Sequence, residues 1–270
     1  MVPRVLRRAI VAMLAAALAT QVVGCRHSRE PDTYSWRGEI APGAWVRIAN
    51  VNGPIRVARA AGPEVVVTAT KRYRGRRPQT VRMVAGREGR DVRICAVWGT
   101  RSSGCNQRRI SAVGLLGRLF RQTSPTTMDF VVAVPAGVRV QAATVNGDVI
   151  VADVLGEVRA SATNGSVTVG ASGGPIRAHT VNGPITARLA ALSPGAAVTL
   201  ASTNGAITAM LPAALDASID LTTTSGHIAT DFPLAPSTPR ARRLHGVLGA
   251  GGRPVELKTV NGDVRLEQVR

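Results

Sequence analysis

The sequence is short of lysine, aromatic residues and acidic residues, and each shortage narrows what the protein can be. Only Lys71 and Lys258 are lysines among 34 basic residues, so arginine supplies almost all of the positive charge. Aromatic residues make up 3% of the 270 residues, which excludes an aromatic-rich core. The chain is 45% hydrophobic and can still bury a core, which excludes intrinsic disorder. The 16 acidic residues leave a formal net charge of +18, which first suggests a nucleic-acid-binding protein.

The N-terminal segment is typical of an exported protein. Arg4, Arg7 and Arg8 precede an apolar run over residues 9–23. This run is shorter than the roughly 20 residues that span a bilayer as a helix. The pattern therefore predicts a secretory signal peptide over residues 1–24.

The end of this segment resembles a bacterial lipobox, since Val22-Val23-Gly24 leads directly into Cys25. We predict that Cys25 is lipidated with a diacylglyceryl group and an N-acyl chain such as palmitate, which would anchor the protein stably to a membrane. Residues 25–37 would then form a tether. An ordinary secretory cleavage near Gly24 is the alternative.

Export also bears on the two remaining cysteines, Cys95 and Cys105. An even number of cysteines in an oxidising compartment favours a disulfide, and the residues between these two include Gly and Ser that allow the chain to turn back. We therefore predict a disulfide between them. No metal site is expected, because no His or third Cys lies nearby.

Positive charge is concentrated in the first part of the mature chain. Residues 26–130 hold 20 basic and 7 acidic residues, whereas residues 131–270 hold 11 and 9. Residues 108–121 mix arginine with apolar residues, which fits either a basic amphipathic helix on an anionic membrane or a solvated loop. The candidate basic surface residues are Lys71, Arg72, Arg74, Arg76, Arg77, Arg108, Arg109, Arg118 and Arg121.

Asn-Gly recurs in the second half at intervals that indicate an internal repeat. With Ser225-Gly226 as an equivalent turn, the spacings are 18, 18, 22, 21 and 36 residues. Because 36 is two periods of 18, we expect one repeat to have lost its Asn-Gly, with the degenerate stretch 244–252 in the gap. The segment around Asn52, which lies 94 residues before Asn146, fits the same template. The predicted repeat turns are Asn52-Gly53, Asn146-Gly147, Asn164-Gly165, Asn182-Gly183, Asn204-Gly205, Ser225-Gly226 and Asn261-Gly262.

Residues at fixed distances from each Asn share their chemistry. The residues six and four before it and three after it are aliphatic, and the residue two before it is Thr, Ser or Ala in the C-terminal repeats. Polar residues such as Arg159, Arg177, Asp220 and Lys258 stand at alternate positions, which is the pattern of half-buried strands. The repeat therefore predicts an all-β fold with two strands per repeat.

Two architectures fit this repeat. Asn-Gly is a strong signal for a two-residue hairpin loop, which would lead to an antiparallel hairpin-based sandwich. The other is a parallel β-helix, or β-solenoid, of about 18 to 22 residues per rung, with each Asn-Gly at a corner. Small residues at fixed interior positions favour the solenoid, because a sandwich would need larger ones.

Several motifs resemble the bacterial domain-of-unknown-function 4097 group, whose members are called putative adhesins. They are Asn-Val-Asn52-Gly-Pro-Ile, the line from Met128 to Val140, the recurring Thr-Val-Asn-Gly and the closing segment from Gly246. The resemblance covers about residues 38–270 and implies an envelope-exposed β-helix with a conjectural adhesive role and no known catalytic residues. An arginine-rich insert at about 71–123 has no match in this pattern.

Catalytic patterns are absent from the sequence. The four histidines lack metal-ligand spacing, and there is neither a Gly-Lys-Ser/Thr phosphate loop nor a Ser-centred elbow. Asp148 and Asp263 follow Asn-Gly, but other repeats place Ser, Pro, Ala or His there, so no acidic ladder forms. We therefore expect no catalytic residues, no cofactor and no metal, and no enzyme. The alternative is a β-helical carbohydrate-active enzyme, which would need paired carboxylates in one groove.

The combined prediction is a membrane-anchored lipoprotein of the bacterial cell envelope, on the periplasmic side or at the cell surface. It would act as an adhesin or scaffold that presents a repetitive β surface and a basic region. Expected partners are anionic lipid, lipopolysaccharide, acidic polysaccharide or another envelope protein. Nucleic acid is not the expected partner of an exported chain.

Overall fold

A computed structural model of the chain describes residues 32–73, 80–99, 105, 126–170, 173–234 and 241–269. All regular structure in these residues is β-strand, which confirms the predicted all-β class. Several predicted features lie outside them: the signal peptide, Cys25, Arg74, Arg76, Arg77, and the segment that holds Arg108, Arg109, Arg118 and Arg121.

The described residues contain twenty strands. They are β1 (Thr33–Glu39), β2 (Trp45–Ala49), β3 (Ile55–Arg59), β4 (Glu64–Tyr73), β5 (Val81–Glu88), β6 (Asp91–Trp98), β7 (Thr126–Val134), β8 (Arg139–Asn146), β9 (Val149–Val151), β10 (Val158–Asn164), β11 (Val167–Gly170), β12 (Ile176–Asn182), β13 (Ile185–Arg188), β14 (Val198–Asn204), β15 (Ile207–Leu211), β16 (Ala217–Ser225), β17 (Ile228–Thr230), β18 (Arg243–Leu248), β19 (Pro254–Asn261) and β20 (Val264–Gln268).

These strands form two ten-stranded sheets that contain both parallel and antiparallel pairs. Sheet 1 has the order β1-β4-β7-β3-β9-β11-β13-β15-β20-β17, and sheet 2 has the order β18-β16-β19-β14-β12-β10-β8-β2-β6-β5. The inward side chains of both sheets form one continuous apolar cluster, dominated by Val, Ile, Leu and Ala. Most of them are shielded almost completely from solvent, as the alternating pattern predicts.

Each repeat contributes one strand to each sheet. In the repeat around Asn146, β8 lies in sheet 2 and β9 in sheet 1. β8 pairs in parallel with β10 of the next repeat, so that Val140 lies beside Val158 and Asn146 beside Asn164. The Asn-Gly turns therefore connect the two sheets, and the partners of a strand come from neighbouring repeats rather than from a hairpin.

Glycine is required at these turns because successive repeats approach too closely for a Cβ atom. A Cβ placed on Gly183 would collide with the carbonyl oxygen of Gly165, and one on Gly165 would collide with that of Gly147. The φ angle of Gly183 is +154°, which also disfavours an L-residue. The glycine column therefore allows the repeats to stack in register.

The order of the last repeats differs from the prediction. The repeat around Asn261 does not follow a lost one but lies between two others, with β19 between β14 and β16 and β20 between β15 and β17. Asn261 accordingly pairs with Asn204 on one side and with Ser225 on the other. The stretch expected to be a degenerate repeat instead forms β18, which pairs antiparallel with the other edge of β16. The expectation of a lost repeat was wrong because strand order need not follow chain order.

The first repeat stacks on the others despite the 94 residues that separate Asn52 from Asn146. β2 and β3 pair in parallel with β8 and β9. The chain in between extends both sheets, since β4 pairs antiparallel with β1 and β7, and β5 pairs antiparallel with β6. Within the predicted arginine-rich insert, residues 81–88 and 91–98 thus form strands of sheet 2.

Candidate binding surface

A ladder of side-chain amides runs along the Asn-Gly corner. The Nδ2 atom of each Asn donates to the Oδ1 atom of the Asn before it in the stack, at 2.7–2.8 Å. Its members, in spatial order, are Asn52, Asn146, Asn164, Asn182, Asn204 and Asn261. These hydrogen bonds stabilise the corner and use one of the two N–H donors of each donating amide.

A second ladder lies beneath the corner. The hydroxyl of Thr180 donates to the carbonyl oxygen of Gly165 at 2.9 Å, and Thr144, Ser202, Thr223 and Thr259 make the equivalent bond. Ala162 stands at this position in one repeat and has no hydroxyl to donate. The predicted turn residues are therefore brought together, and their contacts are structural.

In the first repeat, the fully buried Asn50 takes the place of this hydroxyl residue. Its Nδ2 atom donates to the carbonyl oxygens of Met128 at 2.7 Å and Gly53 at 3.0 Å. The longer Asn side chain reaches the backbone of β7, which pairs with β3 in sheet 1. Asn50 therefore joins the repeat stack to the N-terminal strands.

The outward face of sheet 2 carries a row of charge that changes sign along its length. In each repeat the row lies five residues before the Asn or Ser of the turn, and strand register adds one residue of β6 and one of β18. The row crosses nine strands, which corresponds to about 38 Å at the usual strand spacing. Its basic half is next to β6, and its acidic half is next to β18. In spatial order the residues are Arg93, Arg47, Gln141, Arg159, Arg177, Thr199, Glu256, Asp220 and His245.

Trp45 lies beside the basic half of this row. It points outward from sheet 2 yet is only 5% exposed. The guanidinium groups of Arg159, Arg139 and Arg47 lie 4.5, 4.7 and 5.8 Å from its ring centre and cover it. Stacking of this kind orders arginine side chains and keeps them next to the surface.

Some of these arginines are paired with acids. Arg47 binds Asp91 at 2.8 Å, Arg159 binds Glu157 at 2.8 Å and Arg93 binds Glu88 at 2.8 Å. Arg177 is exposed and has no ion pair within the described parts of the chain. The cluster of Arg47, Arg93, Arg139, Arg159 and Arg177, which we call the arginine face, therefore retains excess positive charge.

The charge of the arginine face also acts on Asp91. Desolvation by burial raises the pKa of Asp91, but the Trp45 backbone N–H, which donates to the carboxylate at 2.9 Å, and the charges of Arg47 and Arg139 outweigh it. The pKa of Asp91 is therefore held below its ordinary value. Asp91 remains a carboxylate at neutral pH and fixes Arg47 beside the indole ring.

The disulfide lies next to this surface. Cys95 and Cys105 are bonded, as predicted, with their Cα atoms 5.9 Å apart. Cys95 points outward but is buried in a small cluster with Ala49 and Val97, separate from the main core. Nη1 of Arg93 donates to the carbonyl oxygen of Cys105 at 2.9 Å. The disulfide thus holds Cys105 against the outer face of sheet 2 and orients one arginine of the row.

An open cleft lies among the turns at the opposite corner from the Asn ladder. Its lining includes Arg59, Arg87 and Arg90 against a single carboxylate, that of Glu39. Arg87 and Arg90 donate to backbone carbonyl oxygens of Glu39 and Pro42, so these hydrogen bonds leave their charge uncompensated. The cleft is basic and lacks the carboxylate pair that glycoside hydrolysis uses.

Acids elsewhere bind the backbone. Asp148 accepts from the backbone N–H and the hydroxyl of Ser166, both at 2.8 Å, and Asp216 accepts from the N–H of Ala250 at 2.8 Å. No group of three or more His, Cys, Asp or Glu that could hold a metal occurs among the described residues. Within the same residues, no helix has the length and apolar character needed to cross a membrane.

Comparison with known proteins shows that the repeat stack is similar to a family of known sequence pattern. Residues 136–267 match the family model Toastrack DUF4097. We call residues 136–267 the Toastrack segment. The match confirms the resemblance read from the motifs and is narrower than residues 38–270. No curated protein matches the sequence.

Two solved structures match most of the chain at low sequence identity. One is a putative cell adhesion protein from Clostridium sporogenes, with 8% identity, a TM-score of 0.49, and coverage of 88% of this chain and 100% of its own. The other is a putative adhesin from Bacteroides fragilis, with 10% identity, a TM-score of 0.34, and coverage of 89% and 98%. The similarity to a known family therefore rests on the Toastrack match over residues 136–267.

The arginine face joins the Toastrack segment to the strands before it. Arg139, Arg159 and Arg177 lie within the matched residues, whereas Arg47 and Arg93 precede them. Trp45, which Arg47, Arg139 and Arg159 enclose, also lies outside the match. The arginine face therefore contains residues of the Toastrack segment and residues of the strands before it.

Two of the predicted basic surface residues, Lys71 and Arg72, are described by the structure, and they lie away from this surface. Lys71 and Arg72 lie on β4 of sheet 1, where Arg72 binds Asp129 at 2.8 Å. They do not belong to the arginine face. The prediction from sequence did not include that surface. A usable signal was present, because Arg47, Arg159 and Arg177 all stand five residues before an Asn of the repeat.

Proposed function

We propose that this protein is a non-enzymatic lipoprotein of the bacterial cell envelope that acts as an adhesin or scaffold. Its stacked repeats would form a β-solenoid, and its arginine face would bind an anionic envelope component, such as a phospholipid, lipopolysaccharide or acidic polysaccharide. The observation that carries the proposal is the ordered, incompletely neutralised cluster of arginines around Trp45.

The arrangement of these arginines supports binding to a polymer or surface rather than to a small molecule. The basic half of the row crosses five adjacent strands, from Arg93 to Arg177. A repeated anionic polymer could contact several guanidinium groups at once, and each contact would add to the affinity. The flat outward face of a sheet suits such a ligand better than an enclosed pocket.

Two further features support export and anchoring. The disulfide between Cys95 and Cys105 is stable in an oxidising compartment such as the periplasm or the cell exterior. The lipobox-like sequence before Cys25 supplies a route to the membrane. Cys25→Ala should release the protein from membranes into the soluble fraction, and unchanged membrane retention would argue against lipidation.

Binding to defined anionic probes tests the functional proposal. The full-length Cys25→Ala chain would be titrated with vesicles with and without phosphatidylglycerol, with lipopolysaccharide and with polygalacturonate, at about 50 mM and about 200 mM salt. Arg159→Gln combined with Arg177→Gln should weaken binding about 30-fold, since each arginine contributes about 1 kcal/mol at an anionic surface.

The matched control removes the same charge from sheet 1. Arg188→Gln combined with Arg265→Gln alters two exposed outward arginines of that sheet. We expect this variant to bind almost as the parent does. An equal loss in both variants would mean that net charge alone is responsible, and no binding by the parent chain to any probe would refute the proposed partner class.

A further inference from the structure

The C-terminal repeat occupies a slot between two repeats that are adjacent in sequence. The repeat of β14 and β15 is followed along the chain by that of β16 and β17, yet β19 and β20 separate them in both sheets. Elsewhere in the Toastrack segment, repeats adjacent in sequence are also adjacent in space. The C-terminal repeat is therefore inserted between two repeats that both precede it in the chain.

One wall of the slot donates backbone hydrogen bonds to the inserted repeat, and the other wall accepts them from it. On one side, the N–H groups of Gly205 and Ile207 donate to Asn261 and Asp263 at 2.9 Å. On the other, the N–H groups of Gly262 and Val264 donate to the carbonyl oxygens of Ser225 and His227 at 2.8 and 2.9 Å. The ordinary repeats show this pattern as well, in the bonds from Gly183 to Asn204 and from Ile185 to Ala206.

The two walls are therefore complementary to each other as well as to the inserted repeat. Thr223 and Thr259 both donate their hydroxyl to the carbonyl oxygen of a turn glycine, that of Gly262 and Gly205 respectively. Without the inserted repeat, Thr223 would reach Gly205 by the same geometry. The slot can thus be filled by any copy of the C-terminal repeat, or closed by the two walls.

The C-terminal arm, residues 241–269, holds the preceding repeat from two sides. β19 pairs with one edge of β16, and β18 pairs with the other. Val255, Leu257, Val264 and Leu266 of the arm are buried in the core. Because these contacts are made between one arm and the rest of the stack, the arm of a second copy can make all of them.

We propose that the C-terminal arm is exchanged between two copies of this chain, so that each copy fills the slot of the other. Such exchange would link neighbouring molecules through core contacts, independently of the arginine face and of its ligand. The arm of the same chain has a high effective concentration at its own slot, so the exchanged dimer should increase with protein concentration during folding. Folded monomers should exchange slowly, since the arm must first leave the core.

Two single-cysteine variants test this directly in the full-length Cys25→Ala chain. Thr199 and Glu256 are outward-facing register partners on β14 and β19. Thr199→Cys and Glu256→Cys would be placed in separate chains and refolded together over a range of concentrations, then oxidised. We expect a disulfide-linked heterodimer of twice the monomer mass, because neighbouring strands bring the two residues within disulfide range.

Ser161→Cys and His179→Cys form the matched control pair. They are outward-facing register partners on β10 and β12, in the middle of the stack, where exchange of the arm brings no two chains together. This pair should give no heterodimer. Both cysteines of the Thr199–Glu256 pair in one chain should form an internal disulfide, which reports correct folding.

Two results would overturn the proposal. One is an absence of heterodimer at every concentration while the double-cysteine chain closes its internal disulfide. The other is equal heterodimer formation by the control pair, which would show non-specific contact.

Discussion

The N-terminal strands, β1 to β7, and the repeat stack, β8 to β20, build the same two sheets from different chemistry. The N-terminal strands are long and include antiparallel pairs, and they contain Trp36, Trp98 and Phe130. Apart from the antiparallel β18, the strands of the stack pair in parallel, and their buried residues are mostly Val, Ile, Leu, Ala and Thr. Repetition in the stack sets the strand register of both sheets, whereas residues 26–130 of the sequence hold most of the unbalanced charge, with 20 basic and 7 acidic residues.

The two regions also differ in how well their positions tolerate substitution. In the stack, side chains and backbone of successive repeats are so close that each position depends on the same position in its neighbours. In the N-terminal strands, several turns and strand ends are open to solvent. The following predictions test this difference.

The largest effect is expected from a methyl group at a stacked turn. Gly183→Ala would drive a Cβ into the carbonyl oxygen of Gly165 and strain a positive φ angle, and should lower the free energy of unfolding by about 4 kcal/mol. Gly86→Ala in β5 has open space around the new Cβ and should change it by less than about 0.5 kcal/mol. Urea unfolding measures the free energy of unfolding of both variants. Equal losses of stability in the two variants would contradict the predicted difference between the regions.

The disulfide should have the next largest effect, and it belongs to the N-terminal strands. Reduction of the bond between Cys95 and Cys105, ten residues apart, should lower the free energy of unfolding by about 3 kcal/mol, since a closed loop of this length restricts the unfolded chain. Urea unfolding with and without a reducing agent checks this. Identical curves would show that the disulfide contributes nothing to stability.

The buried hydroxyl ladder should be worth less. Thr180→Val removes the bond to the Gly165 carbonyl and should cost about 1 kcal/mol, whereas Thr180→Ser should retain most of it. In the opposite direction, Ala162→Thr should supply the hydroxyl that this repeat lacks and stabilise the protein by up to about 1 kcal/mol. Thermal unfolding of the three variants ranks them, and destabilisation by Ala162→Thr would mean that the stack is less regular than its template.

The smallest effect concerns two carboxylates, one in each region. The pKa of Asp263 is lowered mainly by the N–H of His227, and the N–H of Trp45 together with nearby arginines lowers that of Asp91. A lowered folded-state pKa stabilises the protein above the ordinary carboxyl pKa, and this stabilisation is lost as the pH falls through the lowered value.

Asp91→Asn and Asp263→Asn should therefore each lower stability at pH 7 by less than about 1 kcal/mol, because both groups are partly exposed. Each variant should also lose less stability than the parent on acidification. Unfolding midpoints measured at neutral and acidic pH test this. A variant that matches the parent at pH 7 would show that its carboxylate pairing has no net effect.

The repeat template was predictable from the sequence because it depends on local properties. Period-two alternation and the fixed distance of Val140 or Ile176 from its Asn identify buried positions without knowledge of the strand order. The pairing of Cys95 with Cys105 was predictable by elimination, once Cys25 was assigned to lipidation. Asn204, Ser225 and Asn261 satisfy the template equally well, however, so nothing local indicates which two are neighbours.

The arginine face was missed for a related reason. Its residues are far apart in sequence and become neighbours only when the first repeat stacks on the repeat of Asn146. Arg139 covers Trp45 from the next strand, a contact between residues 94 positions apart. Counting basic residues along the chain instead emphasised Lys71 and Arg72, which lie on the other sheet.

The most direct test of the account is to map which arginines a polyanion covers. The chain would be treated with an arginine-selective reagent, with and without a bound anionic probe, and modification read out by mass spectrometry. The arginine face predicts protection of Arg159 and Arg177, with Arg188 and Arg265 on sheet 1 unchanged. Equal protection on both sheets, or protection confined to sheet 1, would contradict it.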